Sequence, residues 1–190
     1  NLSSCYTTVP HTRIACRAAA GVGSAHRVVV TLAGQRSTSA ATLGFAPPTV
    51  LDVQPHVFPS TSGEGFNVTL HGRNFGRASS AGTGGEGPLE WVEFGYPNAS
   101  AAQMALIAAG LGSSQPTMEI LRLPAPARCR VTQDHVVITC IGLPPLGWGT
   151  GLSWRVRVAG LSSEWTSRAV LSSGYAGPTL ASITPMKLET

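Results

Sequence analysis

The chain has 190 residues, of which 43% are hydrophobic and only 12% charged, enough to bury a core and low in charge for an ordinary cytosolic domain. Its net charge of +4 is dispersed, and the tightest basic grouping, Arg128 with Arg130, is too thin to hold a phosphate backbone, which argues against nucleic acid as a partner. The longest apolar run, 101–111, contains Gln103 and is shorter than the ~20 residues that cross a bilayer as a helix, so membrane attachment is expected only through other parts of a longer protein. The opening NLSSCYTT lacks the basic-then-apolar order of a signal peptide; if secreted, this is an interior piece.

In chain order, CYTTVPHTRIAC (Cys5 to Cys16) comes first, followed by RAAAGVGSAHRVVVTLAG, an alternating strand that ends in Ala33-Gly34, and then FAPPTVLDVQP. GFNVTLHG follows, with Phe66, Val68 and Leu70 alternating with Asn67 and Thr69. In LEWVEFGY, Leu89, Trp91 and Glu93 are expected on one face and Val92 and Phe94 on the other. Ala99 to Ala109 is the one candidate for a short helix. A second cysteine segment, CRVTQDHVVITC (Cys129 to Cys140), leads through IGLPPLGWGTG into SWRVRVAG, where Trp154, Val156 and Val158 alternate with Arg155 and Arg157. YAGPTLASITP closes the pattern. Period-two alternation between Gly, Pro and Ser clusters predicts antiparallel strands with one buried face.

The second half echoes the first. Both cysteine pairs are eleven apart, both following strands end in Ala-Gly, and both exits run from an aromatic through Pro-Thr-aliphatic to a closing proline, Phe45 to Pro55 and Tyr175 to Pro185. The cysteines are offset by 124 and the closing prolines by 130, so the second copy holds six extra residues, placed most economically around Leu143 to Gly149. A repeat of this kind sets the boundaries. Residues 1–47 become the end of one module, 48–177 a complete module and 178–190 the start of another. Many short strands in a unit of that size predict an all-β, immunoglobulin-like sandwich.

PPTVLDVQPHVFPSTSGEGFNVTLHGRNFG resembles the opening of the IPT/TIG domain, the immunoglobulin-like module of plexins, growth-factor-type receptors and fibrocystin-like surface proteins. The resemblance rests on Pro48, Val50, Val53 and Pro55, on the glycine turn and strand Gly63, Gly65, Phe66, Val68 and Leu70, and on Gly72, Asn74, Phe75 and Gly76. Gly72 and Gly76 are expected at positive φ, Asn74 in the left-handed region, and Phe75 as a plug at the end of the sandwich. The cysteine hairpin, V-x-V strand and aromatic-x-x-Pro exit extend the match over nearly the whole chain. The resemblance implies tandem early-set sandwiches that bind other proteins or neighbouring modules without catalysis or cofactor. The complete module is longer than usual, with added length in 77–88 and 97–128.

A cysteine pair eleven apart on adjacent strands faces itself across a short turn, and opposed residues there have the Cβ separation a disulfide needs. Such a bond contributes roughly 2–3 kcal/mol. Disulfides Cys5–Cys16 and Cys129–Cys140 compete with a four-cysteine zinc site, which lacks C-x₂₋₄-C knuckles, and with free thiols. Disulfides imply an oxidising compartment and hence an extracellular or cell-surface location. The sequons at Asn1, Asn67 and Asn98 agree with it, Asn67 standing at the outward position of its strand.

GTGGEG (82–87) matches G-x-G-x-x-G formally but lies in a loop, without the strand and helix a dinucleotide site needs. His11, His26, His56, His71 and His135 show no metal-binding spacing, there is no nucleophile elbow, and the acids show no catalytic pairing. No catalytic, cofactor or metal residue is therefore expected. Trp148 and Trp165 are candidate partner contacts or end plugs, whereas Trp91 and Trp154 are expected in the core. The leading expectation is a non-enzymatic, semi-rigid extracellular scaffold for adhesion, receptor binding or filament assembly. The alternatives are an intracellular module of a nucleic-acid-binding factor, which predicts free cysteines and bare sequons, and an accessory domain of a carbohydrate-active enzyme, which is usually single.

Overall fold

A computed structural model describes residues 2–38, 41–59, 65–79, 87–95, 97, 120–125, 127–143, 150–167, 173–177, 179 and 182. Among them there are strands and no helix. The first 47 positions hold β1 (Leu2–Val9), β2 (Arg13–Ala18), β3 (His26–Val28), β4 (Thr31–Leu32), β5 (Gln35–Arg36) and β6 (Ala41–Leu43). Then come β7 (Thr49–Gln54), β8 (Val57–Phe58), β9 (Phe66–Arg73), β10 (Leu89–Gly95) and β11 (Leu121–Pro124). The last group is β12 (Cys129–Gln133), β13 (Val137–Leu143), β14 (Thr150–Val158), β15 (Leu161–Ser162) and β16 (Ser173–Tyr175).

Strands β7 to β16 form two sheets, one ordered β12-β13-β9-β7 and the other β11-β10-β14-β16-β8 with β15 added beside β14. Their inner faces share one core, in which Val53, Val68, Leu70 and Ile138 from the first sheet meet Phe58, Val92, Trp154 and Val156 from the second, all fully buried. Alternation therefore has the meaning expected of a sandwich: one side of each strand faces the other sheet. Trp154 stacks on Phe94 with ring centroids 4.8 Å apart, and its Nε1–H donates to Ser173 Oγ at 2.8 Å, so the largest core side chain has its polar atom satisfied. Phe75 is fully buried where a plug was expected, and Asn74 and Gly76 have φ of 61° and 87°.

Three details depart from the sequence-based expectation. A register shift between Leu89 and Trp91 inserts a β-bulge, so Leu89 turns into the core with Val92 and Phe94 while Trp91 and Glu93 stay on the outer face. Trp91 is consequently half-buried outside the sandwich rather than in its core. Gly72 lies inside β9 without positive φ; a Cβ there would run into the Thr49 carbonyl and the Phe75 ring, so close approach is what demands glycine.

The first 45 residues repeat the pairings of the last fifty. Thr31 pairs with Arg36 and Leu32 with Gln35, as Arg157 pairs with Ser162 and Val158 with Leu161, each 126 positions on. Ser37 N–H donates to the Val30 carbonyl at 2.8 Å, and Ser163 N–H to Val156 at 2.9 Å. The turn between has φ of 46° and 82° at Ala33 and Gly34, and 46° and 81° at Ala159 and Gly160. With the offset already 126 there, only two of the six extra residues precede the turn; the other four fall between Ser163 and Tyr175, not around Leu143 to Gly149. Ile14, Val30 and Leu32 are 38%, 40% and 61% exposed, whereas their counterparts Ile138, Val156 and Val158 are at most 1% exposed, because β7, β9 and β10 cover only the second set.

Candidate interaction face

The outer face of the larger sheet carries a connected set of charged and aromatic side chains. Glu93 on the inner strand β10 stands directly opposite Arg122 on β11 and Arg155 on β14. Each guanidinium turns a two-pronged donor edge toward one carboxylate oxygen. Arg122 places Nε 2.8 Å and Nη2 2.6 Å from Oε1, and Arg155 places Nε 3.1 Å and Nη2 2.7 Å from Oε2. The Glu93 side chain is 4% exposed, against 32% for Arg155 and 60% for Arg122. Burial pushes this carboxyl up, but the hydrogen bonds and charges of Arg155 and Arg122 outweigh it and hold Glu93 below the usual carboxylate range.

The same arginines both lie over Trp91, with the Arg122 guanidinium carbon 4.8 Å and that of Arg155 5.4 Å from the ring centroid. Arg155 also lies 4.7 Å from the centroid of Trp165. The order Arg122, Trp91, Arg155, Trp165 thus alternates cation and ring across the face, each contact worth roughly 0.5–1 kcal/mol at such exposure. Trp165 is set there by its loop. Ser163 N–H bonds the Val156 carbonyl, Trp154 N–H donates to Thr166 Oγ1 at 2.8 Å, and Thr166 N–H returns to the Trp154 carbonyl at 3.0 Å. A further charge contact joins Arg157 Nε and Glu90 Oε2 at 2.9 Å, although this N–H is not aimed at the carboxylate and makes no hydrogen bond. Glu90 Oε1 instead accepts from Gly160 N–H at 2.6 Å, tying the Ala159–Gly160 turn to β10.

Beside Trp165 a shallow groove of about 300 Å³ runs between Pro47–Val50 and Ser162–Ser167. Flat rings and guanidinium planes of this kind suit a partner's apolar, aromatic or acidic groups.

The remaining sequence candidates lie elsewhere. Cys5–Cys16 and Cys129–Cys140 are both disulfides, bonds at home in an oxidising compartment; the second is buried in the core and the first is exposed. Asn67 is exposed on the outer face of the four-stranded sheet, where its Oδ1 accepts a long 3.4 Å bond from Gly142 N–H. Asn1, Asn98, Trp148 and the segment 99–109 lie outside the described residues, as does all of the 82–87 tract except Gly87. Among the described residues, no three His, Cys, Asp or Glu side chains gather as a metal site. Glu93 was not singled out from sequence, because its arginine partners are 29 and 62 positions away; the only available signal was an acid on the same face of its strand as Trp91. Comparison with protein-family models, with curated proteins and with solved structures gives no match.

Proposed function

We propose that the chain is a non-catalytic extracellular segment of tandem IPT/TIG modules, a semi-rigid scaffold for adhesion, receptor binding or filament assembly through other proteins. The observation that carries this reading is the recurrence, at nearly constant offset, of a disulfide hairpin, an Ala-Gly turn and the backbone pairing around it. Folding information repeated along a chain is what an array requires, because each unit must build the same sandwich. Paired cysteines and an outward-facing sequon at Asn67 favour the cell surface over an intracellular role. On this reading the Arg122–Trp91–Arg155–Trp165 face receives the partner, while a glycan on Asn67 covers the opposite sheet.

The test is non-reducing peptide mapping of material from its native source, with and without deglycosylation. Linked Cys5–Cys16 and Cys129–Cys140 peptides, with sugar on Asn67, are the expected result. Freely alkylating cysteines and a bare Asn67 would sink the extracellular assignment and return the intracellular module to first place.

A further inference from the structure

The contact between residues 2–45 and the sandwich that follows is built from both sides. Gly23 is buried with φ of 90°, and a Cβ there would lie 3.2 Å from the Ala159 Cβ and 3.3 Å from its carbonyl oxygen. Adjacent Val22 packs against the core of the following sandwich. Neither half of the contact is loose. The Gly23 carbonyl accepts from Phe45 N–H at 2.9 Å, and the Val22 carbonyl lies 2.8 Å from the His26 ring, which meets Phe45 edge-on. Across from them, Ala159 N–H is bonded to the Pro88 carbonyl at 2.8 Å. A second grip lies on the other sheet, where Asn74, at the end of β9, donates from Nδ2 to the Pro47 carbonyl at 3.1 Å.

A connection held at one point swivels about it. Here the linker Pro47-Pro48 is itself fastened, Pro48 by burial and the Pro47 carbonyl by Asn74 beyond β9, and the neighbour adds a second point of contact at Ala159 beyond β14. We infer that the Ala159–Gly160 turn is a seat for the Val22-Gly23 corner of the preceding unit, and that together with the Asn74–Pro47 bond it fixes the angle between successive modules. The seat recurs within the chain. Ala33–Gly34 has the same backbone geometry, its alanine is exposed, and it presents the same surface to the corner of another module of this kind. In the sequence, Trp148-Gly149 stands 126 positions after Val22-Gly23, the offset that relates the two turns. The identity of the neighbour rests on the tandem-module reading.

The test uses the full chain in a weakly aligning medium, with amide residual dipolar couplings measured for residues 2–45 and 48–177. One alignment tensor is expected to fit both sets. A Val22→Ser, Asn74→Gly variant removes the apolar contact and the latch while keeping the left-handed backbone at 74, and is expected to need two tensors. Preserved amide shifts around Cys5–Cys16 and Cys129–Cys140 show that both parts of the variant remain folded. Two tensors in the unmodified chain, or one tensor in a folded double variant, overturns the joint. Two tensors alongside linked cysteines and a sugar on Asn67 overturn the joint alone and leave the module reading in place.

Discussion

Glu93→Gln is the most informative single substitution. It preserves shape but removes the charge that two guanidinium groups share, and turns an N–H donor toward one of them. Cutting one member out of a fully buried ion pair costs about 3–5 kcal/mol. Arg155 and Arg122 are 32% and 60% exposed, so water can recover part of their solvation, and the loss falls to roughly 2 kcal/mol near neutral pH. For a chain of this size that lowers the melting midpoint by about 4–8 °C. The pH dependence identifies the cause. Glu93 is held below its ordinary value of 4.5 in the folded state, so its contribution is complete above that pH and is lost as pH falls through the lowered value. Urea titrations of the unmodified chain and of Glu93→Gln from pH 7 to pH 2 should therefore converge toward acid. A difference that persists unchanged at the acid end, or a neutral-pH loss under ~0.5 kcal/mol, would refute the arginine-clamped carboxylate.

The other predictions separate shared architecture from local detail. Replacing both Cys129 and Cys140 by Ala removes a bond worth roughly 2–3 kcal/mol and leaves a void in the core, whereas the Cys5, Cys16 double replacement affects an exposed hairpin; calorimetry should show a lowered main transition only for the former. Gly72→Ala forces a Cβ against the Thr49 carbonyl and Phe75, a loss of about 2–4 kcal/mol, while Gly160→Ala has open space and pays only about 1–2 kcal/mol for its positive φ; denaturant midpoints should rank them in that order. Arg155→Ala should destabilise more than Arg122→Ala, because Arg155 is better shielded and touches both Trp91 and Trp165, and tryptophan fluorescence should respond more strongly to it.

The strands were legible where alternation met a covered face, as in Phe66 to Leu70, Trp154 to Val158 and the Cys129–Cys140 hairpin; the exposed Cys5–Cys16 hairpin was legible from its cysteine spacing. The all-β class follows from them. Less legible was anything fixed by non-local pairing. The bulge that turns Leu89 inward breaks period two within a single strand, so counting alternate residues assigns Leu89 to the wrong face. Strands β8 and β16 are two and three residues long and pair in parallel, which leaves almost no period to detect. Alternation puts Glu93 on the face of Trp91, but nothing in the sequence places two arginines from distant segments opposite it. Trp91 reads as core because a large aromatic in an alternating strand usually is; two guanidinium groups cover it instead.

The two copies differ in residues of the outer face. The features they share are those that fold a sandwich, namely a hairpin staple, a turn and a serine that bonds back to the strand before it. Across the 126-residue offset, Arg155 and Arg157 correspond to Val29 and Thr31, so these two cations have no counterpart in the first copy. Trp165 falls in the stretch that contains the four surplus residues, between Ser163 and Tyr175. Arg155 and Trp165 are therefore additions to the repeated plan, not consequences of it. A side chain needed only for folding would be expected in both copies, because both repeat the same strand pairing. On the proposed tandem reading, the shared residues make the array, and Arg155 and Trp165 distinguish one module within it; a partner that recognises those two side chains is then expected to prefer this module.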